Sequence, residues 1–97
     1  MCDAGKGTAT MEVIEDGERV RIVRYTLAPG QATGWHRHAL DYVIVPYDDC
    51  RIRVDTAGGS IAAEMTRDQP YFRAKGAEHN VVSVMDQTFS FLEIELK

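Results

Sequence analysis

The sequence predicts an all-β single domain of sandwich or barrel type, and three observations carry that prediction. No stretch of ten or more residues sustains the 3.6-residue apolar period of an amphipathic helix. About nine short runs of alternating or β-branched residues follow one another at a spacing of roughly 8–12 residues. Turn-forming pairs such as Asp16-Gly17, Pro29-Gly30 and Gly58-Gly59 separate them. The 97 residues suit one compact domain, and a closed barrel or jelly roll shields the strand edges such a chain would otherwise expose.

In order, residues 1–10 (MCDAGKGTAT) are small and polar and read as a flexible N-terminal tail, with the barrel occupying residues 11–97. Met11 to Ile14 is a first short strand. Arg19 to Leu27 alternates, with Val20, Ile22, Arg24 and Thr26 on one side and Arg21, Val23, Tyr25 and Leu27 on the other. Tyr42 to Pro46 is apolar and β-branched, and Asp48-Asp49 turns the chain into Arg51–Val54. Gly58-Gly59 is a hairpin turn, because paired glycines accept positive φ, and Ser60 to Thr66 is its return strand. Tyr71 to Arg73 is short. Val81–Met85 and Thr88–Leu96 read as a final hairpin across Asp86-Gln87. In that last strand Leu92, Ile94 and Leu96 share one face, and Phe89, Phe91, Glu93 and Glu95 share the other. Met65 and Met85 read as core.

Composition narrows the function. A domain of this size buries only about 60–65% of the surface its unfolded chain exposes, so a metal ion or partner subunit adds useful stability. The formal net charge is -4, with no cluster of Lys or Arg, which argues against nucleic acid or an anionic membrane as partner. No apolar run approaches the length of a membrane span, and the start lacks a basic-then-apolar leader pattern. Cys2 and Cys50 do not make a disulfide framework and read as free thiols, which points to a cytoplasmic protein. Short barrels leave edges and apolar outer faces that a second copy covers, so a homodimer is expected.

The chain has three histidines, and their placement is the main functional signal. His36 and His38 are separated by one residue, and on an extended strand residues two apart project to the same face. Their imidazoles converge while Arg37 faces away. His79, following Gly76, is placed to supply a third nitrogen from a strand packed nearby. Imidazole suits one divalent ion such as Fe²⁺, Zn²⁺, Ni²⁺ or Mn²⁺. Two neighbouring ligands and one distant ligand leave positions open for water or substrate. The plainer alternative is three unrelated histidines that hydrogen-bond or face solvent.

The stretch Gly30-Gln31-Ala32-Thr33-Gly34-Trp35-His36-Arg37-His38-Ala39-Leu40-Asp41-Tyr42 resembles the first motif of the cupin superfamily. That motif is a Gly, five residues, His-x-His, three or four residues, then Glu. Gly76-Ala77-Glu78-His79-Asn80-Val81-Val82-Ser83 is similar to the second motif, Pro-x-Gly, two residues, His, three residues, Asn. The resemblance spans Arg24 to Glu95. Trp35-His36-Arg37-His38 followed by Asp41-Tyr42-Val43 and Val45-Pro46 looks most like the small single-domain cupins associated with β-alanine degradation. The resemblance implies a jelly-roll β-barrel (RmlC-like) with a metal ion in its mouth, held by His36, His38 and His79.

Three positions depart from the family pattern. Tyr42 stands where most cupins have the ligand Glu, and the neighbouring Asp41 points to the opposite face if the strand has begun. Ala74 replaces the Pro and Ser83 the Asn of the second motif. Without the Glu, the histidines leave a bound ion its full positive charge and make it a stronger Lewis acid. Such sites occur among thiol and β-diketone dioxygenases of the superfamily. The resemblance therefore implies either an iron-dependent dioxygenase acting on a small organic acid, thiol or diketone, or a non-catalytic metal or small-ligand binding module. Closed structural zinc sites usually have four protein ligands, often with Cys, and only three good candidates stand here, which disfavours a purely structural metal.

Tyr42 and Arg73 are the candidate catalytic residues. Tyr42, neutral at pH 7, would donate a hydrogen bond beside the metal. Tyr71 and Arg73 share a face, and if that face is the pocket, Arg73 binds a substrate carboxylate through its planar fork. Otherwise its stem covers outer apolar surface. Glu93 orients a metal-bound histidine if it points inward and is an ordinary surface acid if it does not. Trp35 is expected at the barrel rim rather than on substrate.

Overall fold

The computed structural model describes residues 7–97. Nine strands and no helix are present among them: β1 (Thr10–Asp16), β2 (Val20–Leu27), β3 (His36–Arg37), β4 (Tyr42–Pro46), β5 (Cys50–Thr56), β6 (Gly59–Met65), β7 (Tyr71–Arg73), β8 (Glu78–Ser83) and β9 (Phe89–Leu96). They form a five-stranded sheet in the order β1-β2-β9-β4-β7 and a four-stranded sheet in the order β3-β8-β5-β6. All named strand pairs are antiparallel.

Alternation decides which side chains enter the space between the sheets. On β2 Val23 and Leu27 are fully buried, so the face bearing Arg21, Val23, Tyr25 and Leu27 is the inner one. On β4 Tyr42, Ile44 and Pro46 point inward, and on β9 Phe89, Phe91 and Glu93 do. The core gathers Leu27, Ile44, Ile52, Met65, Phe89 and Phe91, with Met85 packed against it. A buried side chain of this size contributes about 1.5–3 kcal/mol through surface withdrawn from water.

Two expectations change. Val81–Met85 and Thr88–Leu96 are not partners: β8 pairs with β3 and β5, whereas β9 lies between β2 and β4 in the other sheet. The segment around Asp86-Gln87 carries the chain from one sheet to the other, using the same turn-forming residues a hairpin would use. The end of the expected tail is also built in. Thr8 bridges Ala32, the Ala9 amide donates to the Ala32 carbonyl at 2.7 Å, and Ala9 is buried. Small residues let the two backbones approach closely, so the composition that suggested looseness serves packing here. Residues 1–6, Cys2 among them, lie outside the described residues.

The β5–β6 hairpin is present with its turn one residue early. Thr56 pairs with Gly59, so Ala57-Gly58 forms the turn and Gly59 opens the return strand at φ +124°. The Thr56 hydroxyl closes the turn, donating to the Gly59 carbonyl at 2.7 Å and accepting from the Gly58 amide at 3.2 Å.

Candidate metal centre

The three histidines come together at one side of the space between the sheets. His36 of β3 and His79 of β8 are direct cross-strand partners. His38 follows β3 and is held in register by its amide, which donates to the Ala77 carbonyl at 2.8 Å, and by its carbonyl, which accepts from the Gly76 amide at 2.8 Å. The Nε2 atoms of His36 and His38 are 2.9 Å apart, and those of His38 and His79 are 3.2 Å apart. One ligand nitrogen from each histidine lies within 4.8 Å of the others.

The surroundings set the chemistry of these nitrogens. The Nδ1 of His36 lies 2.8 Å from the Gly34 carbonyl, which only accepts, so Nδ1 carries the proton and Nε2 presents a lone pair. Gly34 reaches that position at φ +90°, a backbone conformation that side-chain-bearing residues rarely adopt. Its amide donates to Asn80 Oδ1 at 2.9 Å, and Asn80 Nδ2 donates to Asp55 Oδ2 at 3.2 Å. The Thr33 hydroxyl adds a bond to the Gly34 carbonyl at 3.1 Å and accepts the Val81 amide at 3.1 Å. Thr33 and Asn80 do not stand out in the sequence. Each adjoins the histidine segments, which is the only signal they carry.

His38 is 4 % exposed and its ring stacks on Tyr42, with centroids 3.8 Å apart. Burial, followed by the charges on His36 and His79, lowers its pKa to about 4. Burial first, then His36 and Arg73, also lowers that of His79. Both are therefore neutral at pH 7, the form that binds metal.

The donor set fits an ion. His38 Nε2 faces two other ring nitrogens and can carry at most one proton, so hydrogen bonding alone leaves lone pairs opposed. One cation bonded to all three satisfies them together. Ligand atoms around an ion bonded at about 2.1 Å stand about 3.0–3.4 Å apart, close to both observed separations.

Beyond the histidines a cavity of about 340 Å³ opens between the sheets. Ile44, Ile52, Val54 and Phe91 give it an apolar wall, and Tyr42, Tyr71, Arg73 and Glu93 also line it. Arg73 sits with its guanidinium carbon 4.5 Å above the Tyr71 ring centre. Both side chains of the Tyr71/Arg73 pair thus face the cavity. Burial, reinforced by the Glu93 charge, raises the Tyr42 phenol to about 12, so it remains a hydrogen-bond donor at neutral pH. Glu93 points inward, is 6 % exposed, and has Oε1 3.9 Å from His38 Nε2. Burial raises its pKa to about 7.

Asp41, Trp35, Ser83 and Cys50 lie outside the cavity lining. Asp41 turns away and accepts the Lys75 amide at 2.8 Å. Trp35 is exposed and donates to Glu78 Oε2 at 3.1 Å. Ser83 is buried and accepts the Met85 amide at 3.2 Å. Cys50 is a free thiol, buried outside the cavity, and burial raises its pKa to about 11, so it is protonated at neutral pH.

Comparison with known proteins agrees with this geometry. No family model matches the chain. The chain is 37% identical over 94 residues to the β-alanine degradation protein BauB of Pseudomonas aeruginosa, covering 97% of this chain and 99% of that protein. A crystal structure of a cupin domain from Bordetella pertussis superposes with a TM-score of 0.94 at 40% identity, covering 98% of this chain and 99% of that one. A Klebsiella pneumoniae protein with a double-stranded β-helix domain shares the fold at a TM-score of 0.76 and 14% identity, covering 99% and 81% of the two chains. Two near-complete matches at this identity, on a jelly roll that brings His36, His38 and His79 together, establish that the chain belongs to the cupin superfamily.

Proposed function

We propose that this cupin binds one divalent first-row metal ion through His36, His38 and His79 and acts as an iron-dependent dioxygenase on a small organic acid. The observation that carries the reading is the placement of three converging imidazole nitrogens on the wall of a mostly apolar cavity that also holds a guanidinium. Three protein ligands leave coordination positions open on the cavity side. When bound, iron supplies redox chemistry and Lewis acidity toward an oxygen-bearing substrate.

The chain's own residues divide the remaining work. Arg73 binds the substrate carboxylate, and its seat above Tyr71 limits the orientations its fork takes up. Tyr42 holds the His38 ring by stacking and offers its hydroxyl proton to substrate oxygen. Ile44, Ile52, Val54 and Phe91 exclude bulk water, which strengthens both polar interactions. The name of the Pseudomonas relative, a β-alanine degradation protein, supports a short amino acid or a product of its breakdown as the substrate class.

A non-catalytic binding role is the second reading, because the same open site serves a sensor or accessory protein. Metal analysis and oxygen uptake separate the possibilities. Purified protein is expected to carry about one ion per chain, and His36→Ala or His79→Ala to lose it; a folded, metal-free preparation that takes up no Zn²⁺ or Fe²⁺ overturns the site. With iron loaded, oxygen consumption on some member of a panel of short acids, thiols and diketones supports the dioxygenase, and Arg73→Gln should then raise KM for acids. Silence across the panel favours the binding role.

A further inference from the structure

Glu93 is a charged cavity residue to which the proposed function gives no task, and any task at the metal presupposes the three-histidine site. Its side chain is almost fully buried and lines the cavity, and its Oε1 lies 3.9 Å from His38 Nε2, beyond hydrogen-bond reach. Arg21, the cation whose charge reaches it, is engaged by Glu95 at 2.9 Å. An ionised carboxylate in such surroundings is strongly disfavoured unless a positive charge lies close by.

Geometry says where that charge belongs. Oε1 of Glu93 is 3.9 Å from His38 Nε2, just outside the spacing of about 3.0–3.4 Å between ligands of a single ion. The fold explains why Glu93 arrives there. β9 runs beside β4, with Tyr42 opposite Glu95 and Ile44 opposite Glu93. Tyr42 and Glu93 both face inward, so they are diagonal neighbours on the cavity face of adjacent strands. Tyr42 occupies the position at which the first cupin motif has its glutamate. The Tyr42 ring stacks on His38, and Glu93 lines the same cavity from β9.

We infer that Glu93 is the charge-balancing carboxylate of the metal site, facing the ion from the last strand in place of the motif glutamate that Tyr42 displaces. The site is then three histidine ligands with one carboxylate beside them, outside the set of mutually close ligand atoms and contributed by the other sheet. Its ion is a weaker Lewis acid than three neutral ligands alone would leave.

The test is a titration of metal-free wild-type, Glu93→Gln and Glu95→Gln proteins with Zn²⁺ and Co²⁺ against a chromophoric chelator, with folding checked by circular dichroism. Glu93→Gln should still bind one ion per chain, with affinity lower by about 10–100-fold and with shifted visible bands of bound Co²⁺. Glu95→Gln, which alters the neighbouring acid bound to Arg21, should leave affinity within about two-fold. Adding Tyr42→Glu to Glu93→Gln should recover much of the loss; if that double variant does not fold, the single variant decides. Wild-type binding with a folded Glu93→Gln variant of equal affinity and unchanged Co²⁺ spectrum overturns the role of Glu93 and leaves the three-histidine site standing. No binding by the wild type overturns the site itself, and the role of Glu93 with it.

Discussion

The carbonyl of Gly34 fixes the tautomer of His36, and it does so from a backbone conformation with φ +90°. A Cβ placed there meets nothing within 4 Å, so the constraint is conformational and not steric crowding. Gly34→Ala is expected to cost about 1 kcal/mol or more of stability and to weaken metal binding by about ten-fold, because the carbonyl that orients the ring moves. Calorimetric titration with Zn²⁺ against a urea melt of the same variant separates the two effects. Cys50 yields a second expectation at this scale. With its thiol at about 11, only about a thousandth is thiolate at pH 8. In a Cys2→Ser background, iodoacetamide should label Cys50 at an appreciable rate only after denaturation, as peptide mass mapping would show. The converging histidines were legible because His-x-His on a strand has few geometries open to it. Their supports were not: Thr33 and Asn80 act through short polar bonds between segments distant in the chain, which spacing does not encode.

Strand by strand, alternation is a sufficient guide wherever one face is buried. The β2 pattern places Leu27 fully inside, and Leu27→Ala should cost about 2–5 kcal/mol by urea denaturation. Alternation on β9 separated Glu93 from Leu92 but did not say which face was inner; two phenylalanines and the five-stranded sheet decide it. The misread pairing of β8 with β9 has a related cause. Turn chemistry reports that the chain reverses, not which sheet receives it, and residues near Asp86 satisfy the same local preferences either way. The glycine pair at 58–59 was recognised as a turn, but its register was set by Thr56, whose hydroxyl bridges both sides.

For the molecule as a whole, an ion that binds only the folded state adds stability by mass action. At about 100 times its Kd the gain is about 2.7 kcal/mol, and at roughly 4–8 °C per kcal/mol for a chain this short, chelation should lower Tm by roughly 10–20 °C. Scanning calorimetry with and without EDTA checks this. The metal-free protein also has a distinctive pH response. His38 titrates near 4 when folded and near 6.5 when unfolded, so the unfolded state binds the extra proton in that window and stability rises with pH across it. Glu93 titrates near 7 when folded against 4.5 unfolded, so the folded state holds the extra proton and stability falls as pH rises from 4.5 to 7. The two oppose each other between 4.5 and 6.5. Metal-free Glu93→Gln should therefore exceed the wild type in stability at pH 8, with the difference shrinking toward pH 4.5 in chemical denaturation series.

The outer strand β1 has all seven residues exposed, Met11, Val13 and Ile14 among them, and it borders the five-stranded sheet with its far edge unpaired among the described residues. Its pairing with β2 skips from Val13 opposite Val23 to Glu15 opposite Ile22, leaving Ile14 as an extra residue. A bulge twists an edge and spoils the straight ladder that another chain would extend. That irregularity acts between molecules rather than within the individual fold: it opposes the templating of one apolar ribbon by another, and deleting Ile14 should increase self-association in light scattering.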